Sequence, residues 1–327
     1  MRLPDGVCLF ASVCNTTANA APISLWLARG ESEYLVDLSA LLSRPGDTGL
    51  TGLAWHDGTL YAAVQSASEP RIIMLNGRLE PLGAMTAPAF ADLHSLLAMD
   101  GVLLAAATGT QSLLRLNLAD RAVTPLCQSP ENIHLNSACY DGESLLICYH
   151  RRSAEDRRLA AGGVMDVATR RILLHDLGLP HSLMPYGDGC LVLDSVGARV
   201  ICFDRAGPKV QQTLDGFLRG ATRAGNSLFV ASSTLRYISR SNPKASPVRN
   251  LWDLMTERVR IFELDAATLD VRTESAPVIP GFEIYELLAV PGDLIDPPAE
   301  RLLQPDRNAV AHLFYDAAKR AAAAQNG

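Results

Sequence analysis

The amino-acid sequence predicts an all-β fold, a six-bladed β-propeller closed by pairing of its N- and C-terminal strands, on three observations. A tight-turn dipeptide followed by a short apolar run recurs six times. A second marker, a strand ending in Asn or Asp, recurs in phase with the first. Near the C-terminus lies a strand that resembles those entering each turn, although no blade remains for it to start.

The turns are taken in chain order. Asp5-Gly6 precedes VCLFASV, Asp57-Gly58 precedes TLYAAVQ, and Asp100-Gly101 precedes VLLAAAT. Asp141-Gly142 precedes ESLLICY, Asp188-Gly189 precedes CLVLDS, and Gly225-Asn226 precedes SLFVASS. Such dipeptides tolerate the positive φ angles of two-residue hairpin turns, and the flanking apolar runs suit buried strands. The turn glycines stand 36 to 52 residues apart, close to the length of one four-stranded blade. Third strands then end at Asn76, Asn117, Asp166, Asp204 and Asp265, side chains that start turns by bonding their own backbone.

In the sixth blade an insertion over 236–258 interrupts the repeat before VRIFEL resumes at Val259. It carries Arg236, Arg240, Lys244 and Arg249, which suit either a lid that recruits an anion or a solvated surface loop. The segment GFEIYELLAVPG, ending at Gly292, can only complete the first blade, which removes the open edges of a linear array. The propeller is thus assigned to residues 1–292. The extension 293–327 includes a helix expected over about 307–324, N-capped by Asp306, with Val310, Phe314, Ala317 and Ala321 at helical spacing.

Composition bounds the function. Residues that are 48% hydrophobic and 20% charged make a globular core, and 327 residues suit one large β domain. A net charge of −6 gives no reason to expect nucleic acid or an anionic membrane as partner. The opening MRLPDGVCLFASVC is a poor signal peptide, and no apolar stretch reaches the roughly 18 residues of a membrane span. A cytoplasmic location is expected. Seven cysteines without C-x-x-C spacing read as small core residues rather than as a disulfide framework.

In a propeller the innermost strands line the axis, and here those are the strands running into each turn. About six positions before each turn glycine stand Thr51, His94, Asn136, His181, Arg219 and Glu286. All are polar, and ring closure gathers them at one channel mouth. Small residues follow five of them (Gly52, Ser95, Ser137, Ser182, Gly220), which lets strands pack closely near the axis; Leu287 is the exception.

Three arrangements fit this ring. His94, His181 and Glu286, on alternate blades about 120° apart, form a candidate ligand set for a divalent metal, the one cofactor the pattern suggests. Alternatively His94 and His181 act as general acid and base, Arg219 holds an anionic group, Glu286 orients a histidine and Asn136 donates to a substrate oxygen. Or the ring is a plug whose members satisfy one another, Arg219 pairing with Glu286. Asp92 and His134 share a strand face with His94 and Asn136, and with Thr51 and Arg219 they are the candidate substrate-binding residues. Asp92 suits orientation of His94, as carboxylates orient catalytic imidazoles. By strand alternation Tyr285 points to the opposite face, into the core. Asp194 and the run Tyr149-His150-Arg151-Arg152 read as loop or blade-edge residues.

The strings LPHSLMPYGDGCLVLDS, GFLRGATRAGNSLFVASSTLR and GFEIYELLAVPG resemble those of a bacterial family of six-bladed propellers of unknown function, over roughly residues 45 to 292. More distantly the blade grammar is similar to gluconolactonase, strictosidine-synthase and NHL-type propellers. That resemblance implies an active site at the same channel mouth and, for the lactonases, a calcium site of Glu, Asn and Asp ligands, for which Glu286 and Asn136 are the matching residues. The expectation is a small-molecule enzyme of hydrolase, lyase or isomerase type acting on an anionic substrate. The alternative is a non-catalytic propeller that binds a ligand or protein through its top loops.

Overall fold

The computed structural model describes residues 1–129, 133–151, 162–233, 259–281 and 283–306. The expected insertion over 236–258, the helix over about 307–324 and Arg152 lie outside the described residues. Six antiparallel sheets stand around one axis. Their innermost strands are Asp47–His56, Leu93–Met99, Ile133–Tyr140, Pro180–Tyr186, Phe217–Ala224 and Ile284–Pro291. The last of these closes the ring. Ile284–Pro291 pairs antiparallel with Val7–Val13, and Leu302–Leu303 pairs with Ser32–Val36 at the outer edge of the same sheet. The first blade is therefore built from both ends of the described chain.

Local chemistry accounts for the blades. His56 pairs with Thr59 across Asp57-Gly58, both at positive φ, and Met99 pairs with Val102 across Asp100-Gly101. In the fifth blade the turn falls one residue earlier than the sequence suggests. Gly187, at φ +57, and Asp188 make it, and Gly189 already pairs with Tyr186 as the first residue of the next strand. The fourth blade replaces the two-residue turn with a longer one, because Tyr140 pairs with Leu145. All five Asx markers act as expected. The side-chain oxygens of Asn76, Asn117, Asp166, Asp204 and Asp265 each accept the backbone N–H two residues on, at 2.8 to 3.0 Å.

Packing follows from burial of the inner strands on both faces. Runs such as Ser227–Ser233 are buried throughout, while outer strands such as Val271–Ser275 are mostly exposed. The described core divides into six apolar clusters, one between each pair of adjacent blades. The interface of the first and second blades is the richest, around Phe10, Leu27, Leu50 and Leu60. The third and fourth blades share the leanest, around Leu104, Leu113, Leu135 and Ile147. One buried ion pair braces the second blade, Arg71 gripping both carboxylate oxygens of Asp47 at 2.9 and 2.7 Å.

Candidate active site at the channel mouth

Every innermost strand is irregular where its polar residue stands. Pairing with the neighbouring strand shifts between Leu50 and Leu53, Leu93 and Leu96, Leu135 and Ser137, His181 and Met184, and Leu218 and Ala221. In the closing strand it shifts between Ile284 and Glu286, leaving Tyr285 as the extra residue. A bulge bends a strand and re-aims its side chains. Thus the mouth is ringed by six bulges carrying Thr51, His94, Asn136, His181, Arg219 and the Tyr285-Glu286 pair.

The small residues beside them make this possible. A Cβ on Gly52 would overlap the His94 carbonyl oxygen of the next blade, and one on Gly220, at φ +71, would lie 2.8 Å from the Leu287 nitrogen. Hydroxyls then stitch blade to blade. The Ser12 hydroxyl donates to Thr51 O, the Ser137 Oγ accepts from Leu183 N at 2.9 Å, and the Thr51 hydroxyl donates to Leu93 O at 2.7 Å.

All six ring residues are under a tenth exposed. Two roles expected of them are not available. Thr51, buried, donates its hydroxyl to the backbone at Leu93 O and so has no proton left to donate to a substrate. Asn136 donates from Nδ2 to Pro180 O at 2.6 Å, which turns its Oδ1 to His94 Nδ1 at 3.1 Å, so its amide positions the imidazole rather than a substrate oxygen.

Tyr285 corrects the expectation of a core residue. Because of the bulge it enters the ring, its hydroxyl meeting His94 Nδ1. The His94 and His181 rings stand edge-on to the phenol at 5.2 and 5.9 Å, and the Arg219 guanidinium lies over it at 4.7 Å. Burial raises the phenol well above its ordinary pKa, with Arg219 opposing, and it stays protonated. Asp92, expected beside His94, brings Oδ1 to 3.4 Å from its Nε2. His134 packs edge-on against His94 at 4.6 Å and stacks on His150 at 4.4 Å. His150 is thus part of the site rather than of a blade edge.

Arg219 pairs with Glu283, not Glu286. Glu283 also accepts from Asn15 Nδ2 at 2.8 Å, and Asn15 bonds Gln65 in turn. Burial opposes the guanidinium charge but Glu283 more than restores it, so a buried, neutralised pair forms. Glu286 bonds the hydroxyls of Ser95, at 3.2 Å, and Ser182. Burial pushes its carboxyl up to about 8, so it carries a proton at neutral pH.

His181 is held by Nδ1, 2.7 Å from Leu179 O and 2.8 Å from Ser195 Oγ. A carbonyl only accepts, which places the proton on Nδ1 and a lone pair on Nε2. Burial, then the Arg219 and His94 charges, lower its pKa well below 6.5, so the ring is neutral. Among the described residues His181 Nε2 and Arg219 Nε have no hydrogen-bond partner. Both side chains pack against the rings of Phe217 and Tyr285. An unpaired acceptor and an unpaired donor therefore share one aromatic wall.

The metal set expected of His94, His181 and Glu286 is not assembled. His94 Nδ1 is turned to Asn136 and Tyr285, and no group of three or more His, Cys, Asp or Glu among the described residues is placed to hold an ion. The calcium ligands implied by the lactonase resemblance do not fit either, since Asn136 is committed to His94 and Pro180. Asp194 binds Arg199 and the N–H of Gly178 and Gly197, a turn role as expected.

Residues 127–289, from the outer strand of the third blade to the closing strand, match DUF4915, a domain of unknown function. No curated protein matches the sequence. The fold is similar to a chain of a nidogen/laminin complex, at TM-score 0.61 and 13% identity, over 88% of this chain and 99% of that one. It is also similar to a luciferin-regenerating enzyme, at TM-score 0.52 and 13% identity over 74% and 80% of the two chains. Regucalcin, a calcium-binding protein from Agrobacterium tumefaciens, aligns at TM-score 0.50 and 14% identity over 72% and 76%. At these identities the likeness is one of fold. Among the described residues no helix is long and apolar enough to cross a membrane.

Proposed function

We propose that the protein is an enzyme that moves a proton on a small molecule at the mouth of the central channel, with His181 as general base and Glu286 as proton donor. The observation that carries this reading is the unpaired lone pair on buried, neutral His181 beside the unpaired Arg219 Nε–H. A substrate hydroxyl or a water satisfies both, donating to the imidazole and accepting from the guanidinium. His181 then takes the proton. A neutral carboxylic acid at Glu286, tied to Ser182 next to that base, supplies a proton to the departing or rearranging group. The step is common to hydrolysis, elimination and isomerisation. Because Glu283 already neutralises Arg219, an uncharged polar substrate suits the site better than an anion. His94, Asn136, Asp92 and Tyr285 position the ring, and His134 with His150 line its side.

A non-catalytic ligand-binding ring is the second reading, favoured by the saturated Arg219–Glu283 pair. A thermal-shift screen of small alcohols, esters, lactones and amides against wild-type protein, Glu286→Gln and His181→Gln separates the two. Hits that stabilise all three proteins are then tested for turnover. His181→Gln is expected to lower kcat by about 10²- to 10⁴-fold, the usual worth of a general base. Ligands that bind without turnover support the second reading; equal turnover by His181→Gln sinks the first.

A further inference from the structure

At the opposite end of the propeller, Cys139 and Cys190 meet across the interface of the fourth and fifth blades with their sulfurs 3.6 Å apart. Cys139 lies near the end of one innermost strand, two residues before Asp141, and Cys190 follows the Gly187-Asp188 turn of the next blade. Both are free thiols. Cys190 also lines a cleft of about 330 Å³ with Gly189, Phe203 and Arg205, at whose rim Glu143 and Asp188 are exposed. Cys190 is itself buried, so the cleft is the side from which a reagent comes up to its sulfur, and Cys139 behind it is the partner that resolves the product.

We propose that Cys139 and Cys190 are a redox-active pair, which a hydroperoxide closes into a disulfide joining the fourth and fifth blades. Cys190 is the attacking sulfur. The Cys139 S–H faces it and lowers its pKa, whereas Cys139 is raised by the same contact and by burial. Cys190 sulfur attacks the O–O bond of ROOH, loses two electrons to it, and becomes the sulfenic acid as ROH leaves with the thiol proton. Cys139 sulfur then displaces the hydroxyl from Cys190. The S–S bond forms, and the Cys139 proton departs with that hydroxyl as water. The neighbouring Cys148 takes no part, since burial holds its thiol up at about 12 and it faces Ser137 Oγ at 2.9 Å.

The test is oxidation of the reduced, full-length protein with hydrogen peroxide, followed by mass mapping without reduction. The expected product has lost two hydrogens, links the Cys139 and Cys190 peptides, and returns to the starting mass with dithiothreitol. Closing a 51-residue span is expected to raise Tm by about 5 °C. Cys139→Ser should block the link yet accumulate a sulfenic acid on Cys190 that dimedone traps; Cys190→Ser should leave Cys139 unlabelled. Peroxide that oxidises the half-buried Cys127 or Cys202 without forming the 139–190 link overturns the proposal. So does a Cys139→Ser protein whose Cys190 takes up no dimedone.

Discussion

Two buried groups at the channel mouth give stability opposite dependences on pH. Glu286, with its carboxyl near 8 when folded, holds a proton that the unfolded chain loses above about 4.5. Its contribution is complete below 4.5, falls as pH rises, and is gone above 8, a loss on the order of 5 kcal/mol. His181 is neutral when folded but takes a proton when unfolded below about 6.5, so stability also falls as pH drops from there. From pH 4.5 to 6.5 the two slopes oppose each other, and from 6.5 to 8 only that of Glu286 remains. Urea denaturation at pH 5, 6.5 and 8.5 is expected to show Glu286→Gln gaining on wild type as pH rises. A difference between the two proteins that stays constant with pH would mean that Glu286 is ionised in the fold. The ring residues themselves were legible in the sequence because each repeats at one place in its blade. Their partners were not, since Glu283 was hidden by the expectation that Arg219 would reach Glu286, three residues further on.

At the scale of the strand, the bulges explain what alternation could not. A strict period of two puts Tyr285 on the face opposite Glu286, and one extra residue against Ser12 and Val13 cancels that rule. The same slip at Asn136 brings His134 opposite His150, a pair that counting back from the turn finds only if one residue is allowed for the bulge. The available signal was chemical: the string Glu283-Ile284-Tyr285-Glu286 places three polar groups in a strand otherwise apolar. If the bulges shape the mouth, Gly220→Ala is costly out of proportion to its size. The left-handed φ alone costs about 1 to 2 kcal/mol, and the approach to Leu287 N adds overpacking, for an expected total of about 2 to 4 kcal/mol in chemical denaturation. A loss under half a kcal/mol would mean that the bulge relaxes freely.

The architecture of the whole molecule was the most legible level, because turn chemistry and Asx signals recur with the blade and depend on no neighbour. Closure was legible by elimination, through a strand left without a blade. The long connection in the fourth blade and the early turn in the fifth were not, since Asp-Gly and Gly-Asp read alike beside an apolar run. Closure also carries a prediction. A chain ending at Gly281 keeps five complete sheets but leaves Val7–Val13 as an open edge and lacks Leu287 and Val290, which pack into two different interfaces. It is expected to lose its cooperative thermal transition and to aggregate; a melting temperature within a few degrees of the full-length value would show that the ring does not need its clasp. That clasp also brings Glu283, Tyr285 and Glu286, which join pieces contributed by the other blades only when the strand docks. On the ribosome, then, the ring at the channel mouth is completed only once the closing strand has emerged, and any product of interrupted translation lacking that strand also lacks Glu283, Tyr285 and Glu286.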